Sequence, residues 1–417
     1  MGRFGFRLLW IGIHSLPTGN RVYALLYDRL VETHSGQTGC IAGVHRLLSA
    51  AVMAVVHEKT KVAVAMSGGV DSSVAAVLCR EAGYEVFGVT MALWSCHKDL
   101  QGRTKTCCSM TDVEDARAVC RQIGIPHVVA DFRQDFRERV IGPFVQEYRH
   151  GRTPIPCIGC NQYFKFDRLW RFVQAEYDAA YLATGHYARI EHDAESPKLL
   201  RGRDDRKDQS YFLFVMTRDQ LRHSLFPVGA LSKAEVRDIA ARYGLTTAQK
   251  VESQEICFVP DNDYANFIET YYPDAAAPAG EIVDAEGAVL GRHRGAHAFT
   301  IGQRRGLGIA AAAPRYVTAI DAERGRVTVG ADRDLRARGL TARGMNWIGA
   351  AGREFAASAK IRYRHDPAPC RVRIGADGGA RVIFDEPQRA ITPGQAVVVY
   401  RGEEVLGGGW IDSALWN

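Results

Sequence analysis

Long hydrophobic runs are absent from this sequence of 417 residues: no stretch approaches the ~18 consecutive apolar residues that a membrane-spanning helix needs. Low-complexity tracts and internal repeats are absent as well. What is present is an ordinary balance of 47% hydrophobic and 24% charged residues, enough to build a sizeable core. The sequence therefore predicts a soluble globular protein, which we expect in the cytoplasm without a membrane partner.

Basic residues only slightly outnumber acidic ones, and the cysteines lack the spacing of a disulfide framework. The net charge is +6 and the isoelectric point is about 8.8, which is compatible with a polyanionic partner but does not demand one. The ten cysteines are unevenly spread in a chain too long to need disulfide staples. They are therefore predicted to be reduced thiols with buried or catalytic roles.

Strand and helix patterns alternate after residue 60. The β-branched apolar run at residues 61–66 predicts a buried parallel strand. Further strands are predicted at residues 84–90, 126–131 and 179–184, and helices at residues 74–81 and 112–123. Strands that alternate with helices predict a doubly wound α/β domain built on a parallel sheet.

The pattern changes at about residue 204, where short helices and loops begin. The clearest helix starts after Ser232, a good N-cap, with Glu235 completing a capping box and Gly244 providing a stop. From about residue 277, Gly and Pro become frequent and strand-like runs are short, which indicates a small β-barrel or sandwich. These runs are residues 326–329, 359–363, 370–374, 380–384 and 396–400.

A glycine-rich loop, Ser67-Gly68-Gly69-Val70-Asp71-Ser72-Ser73, joins the first strand to the first helix. Its Gly pair allows a sharp turn, and the amides at the helix start suit pyrophosphate. The three serines add hydroxyl donors, and Asp71 is placed to orient the loop or to hold Mg²⁺. The loop lacks the Gly-Lys-Ser/Thr ending of the other common phosphate loop. It resembles the PP-loop of the adenine-nucleotide alpha-hydrolase superfamily, which implies ATP cleavage between the α and β phosphates.

Four segments are predicted along the chain. Residues 1–57 are an N-terminal extension of unknown role, 58–220 a PP-loop ATP-binding catalytic domain, 221–276 a central linker domain that carries Cys257 and 277–417 a C-terminal β-barrel domain. The fold class is thus α/β: a doubly wound parallel-sheet nucleotide-binding domain, a small mixed central domain and an antiparallel β-barrel. For the extension, a transit peptide and a mis-assigned start codon both stay open, and Met53 favours the second.

Two cysteines flank a proline-rich turn. Cys157 and Cys160 follow two prolines, which predicts a loop leading into a helix that begins near Asn161. A thiolate near a helix N-terminus is stabilised, and Lys165 would add to this from the next turn. Cys257 lies far away in sequence, in the segment Ser253-Gln254-Glu255-Ile256-Cys257-Phe258.

Taken together, these motifs resemble the bacterial tRNA-specific 2-thiouridylase family over residues 61–410. The matching stretches are SGGVDSS, GRTPxPCxxCNxxxKF, TGHYAR, KDQSYFL, SQEICFV and FTIGQRRGLG. The resemblance implies that Cys160 is the nucleophile and that Cys257 carries a persulfide. It also implies ATP contacts at Ala65, Met66, Ser67, Gly68, Gly69, Val70, Asp71, Ser72, Met91 and Gly185. The implied tRNA contacts are His186, Lys207, Asp208, Gln209, Arg362, Tyr363 and Gln395.

The family's chemistry implies a substrate and partners. ATP adenylates the C2 carbonyl oxygen of the wobble uridine, and the persulfide sulfur replaces that oxygen, which leaves a Cys160–Cys257 disulfide. The implied partners are the anticodon stem-loops of tRNAs for Lys, Glu and Gln and a persulfide sulfur-donor protein. A uridine in a folded loop must be flipped out to react. Arg304, Arg305 and Arg364 are further candidate phosphate contacts.

One position departs from the family pattern: Cys157 stands where many members have an acidic residue. Three thiols leave open an iron–sulfur cluster on Cys157, Cys160 and Cys257. Another PP-loop ligase that adenylates a carbonyl, and a non-catalytic nucleotide- or tRNA-binding protein, also stay open. Cys79 and Cys120 are predicted to be small core residues. Cys107 and Cys108 are predicted in a loop, and Cys40, Cys96 and Cys370 show no partner pattern.

Overall fold

A computed structural model describes residues 60–94, 110–193, 195–251, 256–259, 262–349 and 352–416. The predictions for residues 1–57, for the start at Met53 and for Cys40, Cys96, Cys107 and Cys108 lie outside these ranges. Within them, no helix combines the length and the apolar character that crossing a membrane requires.

The first described part of the chain forms a parallel sheet and a hairpin. Their strands are β1 (Lys61–Ala65), β2 (Glu85–Ala92), β3 (His127–Asp131), β4 (Tyr181–Ala183), β5 (Ala188–Glu191), β6 (Lys198–Arg201) and β7 (Ser224–Leu225). The sheet has the order β3-β2-β1-β4-β7, with all neighbours parallel, and β5 pairs with β6 in the hairpin. The chain builds outward from β1 in both directions, so the loops after β1 and β4 flank a topological switch point, where α/β sheets bind ligands.

Helices cover the sheet and lead into the site. They are α1 (Val70–Glu81), α2 (Met110–Gln122), α3 (Arg133–Phe136), α4 (Gly142–Arg149), α5 (Pro156–Gly159), α6 (Trp170–Tyr177), α7 (Arg218–Arg222), α8 (Lys233–Arg242) and α9 (Tyr264–Tyr271). Two π-helical segments, Arg137–Ile141 and Cys160–Leu169, continue α3 and α5. The predicted capping box at α8 is confirmed: Ser232 and Glu235 bond each other's backbone amides at 2.8 and 3.3 Å.

A four-stranded mixed sheet follows, built from β8 (Gly280–Val283), β9 (Val289–His293), β10 (Tyr316–Asp321) and β11 (Arg326–Gly330). Its order is β10-β11-β8-β9, and only the β11–β8 pair is parallel. Four residues of these strands are fully buried: Ile282, Val317, Val327 and Val329. The small mixed central domain in the predicted fold class is confirmed by this sheet, while the domain boundaries stay predictions.

The last part of the chain closes into an antiparallel barrel, as predicted. Its strands are β12 (Arg336–Trp347), β13 (Glu354–Lys360), β14 (Ala368–Ile374), β15 (Ala380–Arg389), β16 (Ala396–Arg401) and β17 (Glu404–Leu415). Pairing of β12 with β17 closes the ring, and the β5–β6 hairpin joins its outer edge through Leu200 and Glu404. The predicted strand at residues 359–363 is wrong at its end, because the carbonyl of Arg362 accepts a turn bond from the His365 amide.

Residues 151–153, which lead to Cys157 and Cys160, contact both the barrel and the central sheet. The amide of Thr153 donates to the Pro393 carbonyl, and Gln395 Nε2 donates to the Thr153 carbonyl, both at 2.9 Å. Gly151 has φ +69°, and a Cβ there would lie 2.7 Å from Ile320 of β10. This segment is thereby fixed by contacts with two other parts of the chain.

Candidate active site

A cavity of about 1270 Å³ lies where the loops after β1 and β4 meet the turn between β13 and β14. The family resemblance implied catalytic, ATP-binding and tRNA-binding residues, and all of them except Gly68, Gly69 and Val70 line this cavity. The site residues on its wall are Ala65, Met66, Ser67, Asp71, Ser72, Met91, Cys160, Gly185, His186, Lys207, Asp208, Gln209, Cys257, Arg362, Tyr363 and Gln395. The structure thus brings these residues together, and the role of each stays a prediction.

Hydrogen bonds within the glycine-rich loop fix its conformation. The Ser67 amide donates to Ser72 Oγ at 3.2 Å, and Ser72 Oγ donates to the Gly69 carbonyl at 3.1 Å. Ser73 is fully buried, donates to the same carbonyl and accepts from Thr247, so it supports the loop from behind. Two of the three predicted hydroxyl donors, Ser67 and Ser72, therefore line the cavity.

Two lysines that the sequence analysis missed hold this loop in place. Lys233 of α8 donates to Asp71 Oδ1 at 2.7 Å, and the Tyr187 hydroxyl donates to the same oxygen at 2.8 Å. Lys250 donates to the Gly68 carbonyl at 3.0 Å and also bonds Asp112 at 2.7 Å and Asp115. Burial opposes the charged form of Lys250, but the hydrogen bonds to Asp112 and Asp115 outweigh it and raise the pKa of this lysine. The two lysines thus cross-link the loop to α2 and α8.

Gly68 and Gly185 show why glycine is required beside the loop. Gly68 has φ +69°, and a Cβ there would lie 2.4 Å from the Asp112 carbonyl oxygen. A Cβ on Gly185 would lie 2.6 Å from the Ser72 amide nitrogen and 2.7 Å from the Asp71 carbonyl carbon. The backbone after β4 therefore packs directly on the start of α1.

The two predicted reactive cysteines share one wall of the cavity. Cys160 and Cys257 are half-buried and pack against one cluster of aromatic side chains, so folding joins two segments that are distant in sequence. Phe164 on the Cys160 helix and Phe258 beside Cys257 both pack on Phe136, at ring-centroid distances of 5.3 and 5.8 Å.

The predicted helix start near Asn161 is wrong. The helix begins at Pro156, which puts exposed Cys157 in its first turn and Cys160 at the following π-helical segment. Proline suits a first helical position because its missing amide would have no helical partner there. Asn161 is buried in the cavity wall, where its Nδ2 donates to the Phe212 carbonyl at 3.0 Å.

The remaining described cysteines behave as core residues. Cys79 and Cys120 are buried, as predicted, and burial raises the pKa of their thiols to about 12 and about 11. Cys370 is also buried, and burial together with nearby Asp385 raises its pKa to about 12. Among the described residues, no group of three His, Cys, Asp or Glu side chains converges as metal ligands.

His186 is held as a neutral imidazole. It is 8% exposed, and burial, followed by the charge of Lys165, holds its pKa well below the usual value. Lys165 Nζ lies 3.4 Å from Nε2 and can only donate, so Nδ1 carries the proton and donates to Thr184 Oγ1 at 2.7 Å. Lys165, expected to act on the cysteines, thus contacts this histidine.

Asp208 organises the wall next to the barrel. It is 1% exposed, and its carboxylate accepts from the Gly202 amide, from the amide and hydroxyl of Ser210, and from Arg201 Nε. Gln209 exchanges backbone and side-chain bonds with Tyr187. The KDQ motif therefore joins the β5–β6 hairpin to the cavity.

The barrel contributes an aromatic and cationic face. Tyr363 packs on Phe212 with ring centroids 4.6 Å apart, and Arg362 Nη1 donates to the Arg389 carbonyl at 2.9 Å. Arg364 also lines the cavity, whereas Arg304 and Arg305 lie on an exposed loop of the central sheet outside it.

Three family models match successive parts of the chain: a tRNA methyl transferase HUP domain at residues 60–261, a tRNA methyl transferase PRC-barrel domain at 265–331 and an Aminomethyltransferase beta-barrel domain at 337–411. The tRNA-specific 2-thiouridylase MnmA of Geobacter metallireducens is 52% identical over 362 residues, covering 86% of this chain and 98% of that protein. The protein of that name from Geotalea uraniireducens is 50% identical over 364 residues, covering 86% of this chain and 96% of its own.

A solved 4-thiouridine synthetase–RNA complex with bound ATP is 17% identical, has a TM-score of 0.32 and covers 52% of this chain and 51% of its own. It is too distant to inform the site. The three family models together run from the parallel sheet through the barrel. The chain therefore belongs to the family of tRNA-specific 2-thiouridylases called MnmA, within the PP-loop superfamily.

Proposed function

We propose that the protein is an ATP-dependent tRNA-uridine 2-sulfurtransferase that converts the wobble uridine to 2-thiouridine. One observation carries the proposal: Cys160 and Cys257 line the same cavity as Ser67, Asp71 and Ser72 of the glycine-rich loop. A ligase that uses ammonia or an amino acid has no need of two thiols beside its nucleotide, so this arrangement favours sulfur transfer. The names of the close relatives support the same activity.

The proposed chemistry has three steps. ATP adenylates the uridine C2 oxygen and releases pyrophosphate, which turns that oxygen into a good leaving group. The terminal sulfur of a persulfide on Cys257 then attacks C2, and AMP departs with the oxygen. The Cys160 thiolate attacks the Cys257 sulfur, which breaks the sulfur–sulfur bond, leaves the transferred sulfur on C2 and forms a Cys160–Cys257 disulfide. A reductant and a persulfide sulfur-donor protein complete the cycle.

Residues of the loop suit the adenylation step. Ser67, Asp71 and Ser72 line the cavity at the start of α1, and the hydroxyl groups and amides of a helix start suit phosphates. Asp71 would be the protein carboxylate that holds Mg²⁺, an ion that proteins commonly bind through one or two carboxylates together with substrate phosphates. When bound, it would neutralise charge on the departing pyrophosphate. Lys233 and Tyr187 hold the same carboxylate and orient it.

The tRNA-facing wall suits a flipped base. Tyr363 and Phe212 offer aromatic faces, and Arg362, Arg364 and Lys207 add positive charge at the cavity wall. We propose the anticodon stem-loops of tRNAs for Lys, Glu and Gln as substrates.

An iron–sulfur cluster is not part of the proposal. Cys157, Cys160 and Cys257 all line the cavity, but no three such side chains converge as ligands among the described residues. Cys157 replaces an acidic residue of the family and supplies no carboxylate, so we do not assign it the role of a base. The absorbance spectrum of anaerobically purified protein tests this: visible charge-transfer bands would restore the cluster mechanism.

Mass spectrometry of tRNA nucleosides tests the function. Purified protein is incubated with ATP, the three tRNAs and a persulfide source, and 2-thiouridine is expected. Cys257→Ser should abolish 2-thiouridine but keep pyrophosphate release that depends on tRNA, and Cys160→Ser should also lose the product. Cys157→Ser is the matched control, a thiol in the same wall without an assigned role. Normal thiouridine yield from Cys257→Ser would refute the sulfur route.

A further inference from the structure

Lys360, the last residue of β13, is a buried cation in the cavity wall. It is 5% exposed and lines the cavity. Its ammonium lies 5.9 Å from the centre of the Tyr363 ring. Within the described ranges, no hydrogen bond or ion pair reaches this ammonium. Burial removes most of the water around this charge, so a ligand in the cavity that supplies hydrogen-bond acceptors would stabilise it.

The nearest carboxylates do not serve as that partner. The pKa of Lys360 is lowered, first by burial, and the charge of Arg201 adds to this while Asp208 opposes it. Asp208 already accepts four hydrogen bonds, one from Arg201, and Asp205 also pairs with Arg201 at 2.9 Å. Arg362 adds another cation to the same wall. Asp366 also acts on the pKa of Lys360 and lines the cavity, but among the described residues no hydrogen bond or ion pair joins the two side chains. The ammonium of Lys360 is thus still able to take an acceptor from a ligand.

Contacts connect Lys360 to the sulfur chemistry. Its neighbour Tyr363 packs on Phe212, whose carbonyl accepts from Asn161, the residue after Cys160. The ATP loop occupies a different part of the wall, between β1 and α1. An anion beside Lys360 would therefore lie in the part of the wall that leads to Cys160, and an ammonium is a common phosphate partner.

We propose that Lys360 binds a backbone phosphate of the RNA substrate next to the nucleotide that enters the cavity. This rests on the proposed function and adds to it a binding residue. A flipped nucleotide carries its flanking phosphates with it, and a phosphate oxygen accepts the hydrogen bonds that the buried ammonium lacks. Binding replaces the lost hydration of Lys360 with a charge-assisted contact.

Salt-dependent binding of an unmodified tRNA transcript tests this. Replacing Lys360 by Met should lower the slope of log K against log salt by about 0.7–0.9, the loss of one phosphate contact. Affinity at low salt should fall about 10-fold or more, as for a lost charge-assisted hydrogen bond. Lys360→Arg should retain most of the slope, and Lys360→Gln is a second neutral variant in case the Met variant is insoluble. Lys198→Met is the control, a lysine paired with Glu191 outside the cavity wall.

Two further measurements show whether the phosphate comes from RNA or from ATP, and whether a negative result concerns Lys360 or the proposed function. ATP affinity without RNA should be unchanged in Lys360→Met; a loss of ATP affinity with an unchanged salt slope would assign the cation to the nucleotide and overturn the proposal. An unchanged slope in both neutral variants of an enzyme that still makes 2-thiouridine would overturn it as well. A wild-type protein that makes no 2-thiouridine would instead sink the proposed function.

Discussion

Substitution of Gly185 by Ala probes how the backbone after β4 supports the ATP loop. A Cβ at this position would lie 2.6 Å from the Ser72 amide nitrogen and 2.7 Å from the Asp71 carbonyl carbon. Both atoms are backbone at the start of α1, so no flexible side chain can move aside. Gly185 is not in the left-handed region of backbone space, and therefore the cost of the methyl group is steric alone.

The separation that the methyl group demands sets the magnitude. Ordinary contact begins at 3.4 Å, so the two segments must part by roughly 0.8 Å. Overpacking of this kind costs about 1–3 kcal/mol. If the loop moves, this energy opposes the geometry that binds ATP, and each 1.4 kcal/mol reduces affinity about tenfold. If the loop moves, we therefore expect ATP affinity to fall about 5- to 100-fold. If the loop keeps its conformation, we expect the free energy of unfolding to fall by about 1–3 kcal/mol.

Calorimetric titration with ATP and denaturant unfolding, measured on the same preparation, separate these two outcomes. Their combined free-energy loss should equal about 1–3 kcal/mol. Gly142→Ala is the control, because its Cβ would lie 3.5 Å from the Arg137 carbonyl, an ordinary contact in a helix. A Gly185→Ala protein with unchanged ATP affinity and unchanged stability would show that the two segments do not touch.

Three further predictions concern the groups around the loop. Lys250→Met should lower stability by about 1–3 kcal/mol and weaken ATP binding, because it leaves Asp112 and Asp115 without their shared donor; unfolding curves that overlay the wild type would contradict this. Asp71→Ala should impair pyrophosphate release while tRNA affinity stays normal, and an equal loss of both would indicate misfolding. His186 is neutral when folded, so only the unfolded state gains its proton as pH falls below about 6.5. Wild-type stability should therefore decline toward pH 5 by up to about 1.4 kcal/mol per pH unit more steeply than that of His186→Gln, and parallel declines would refute the assignment.

The sequence predicted the elements that are determined by interactions between residues close together in the chain. The run at residues 61–66 is β1, with Val62, Ala63 and Val64 fully buried, because an uninterrupted apolar run suits a central parallel strand. The capping box at Ser232 predicted the start of α8, because its bonds join residues only three apart. Gly68 is left-handed in the loop, as a tight strand-to-helix turn requires.

Several site residues could not be predicted from the sequence, because their roles depend on contacts with residues far away in the chain. Lys250 meets the Gly68 carbonyl across 182 residues, and Lys233 meets Asp71 across 162, so no spacing rule marks either lysine. The helix at Pro156 was missed because proline also favours loops, and only the continuing helix distinguishes the two. Lys360 gave no signal, because a lysine at a strand end is usually exposed.

The pairing of the two cysteine segments depends on packing more than on chemistry. Phe136, Phe164 and Phe258 are each at most 1% exposed and come from three separate segments. Burying a phenylalanine contributes about 1.5–3 kcal/mol, so each segment gains enough to dock without a bond between the sulfurs. In the proposed sulfur transfer, the thiols would therefore form and break sulfur–sulfur bonds in every cycle without the fold depending on them. A site whose reacting atoms change partners needs such independent support, and the aromatic cluster beneath Cys160 and Cys257 provides it.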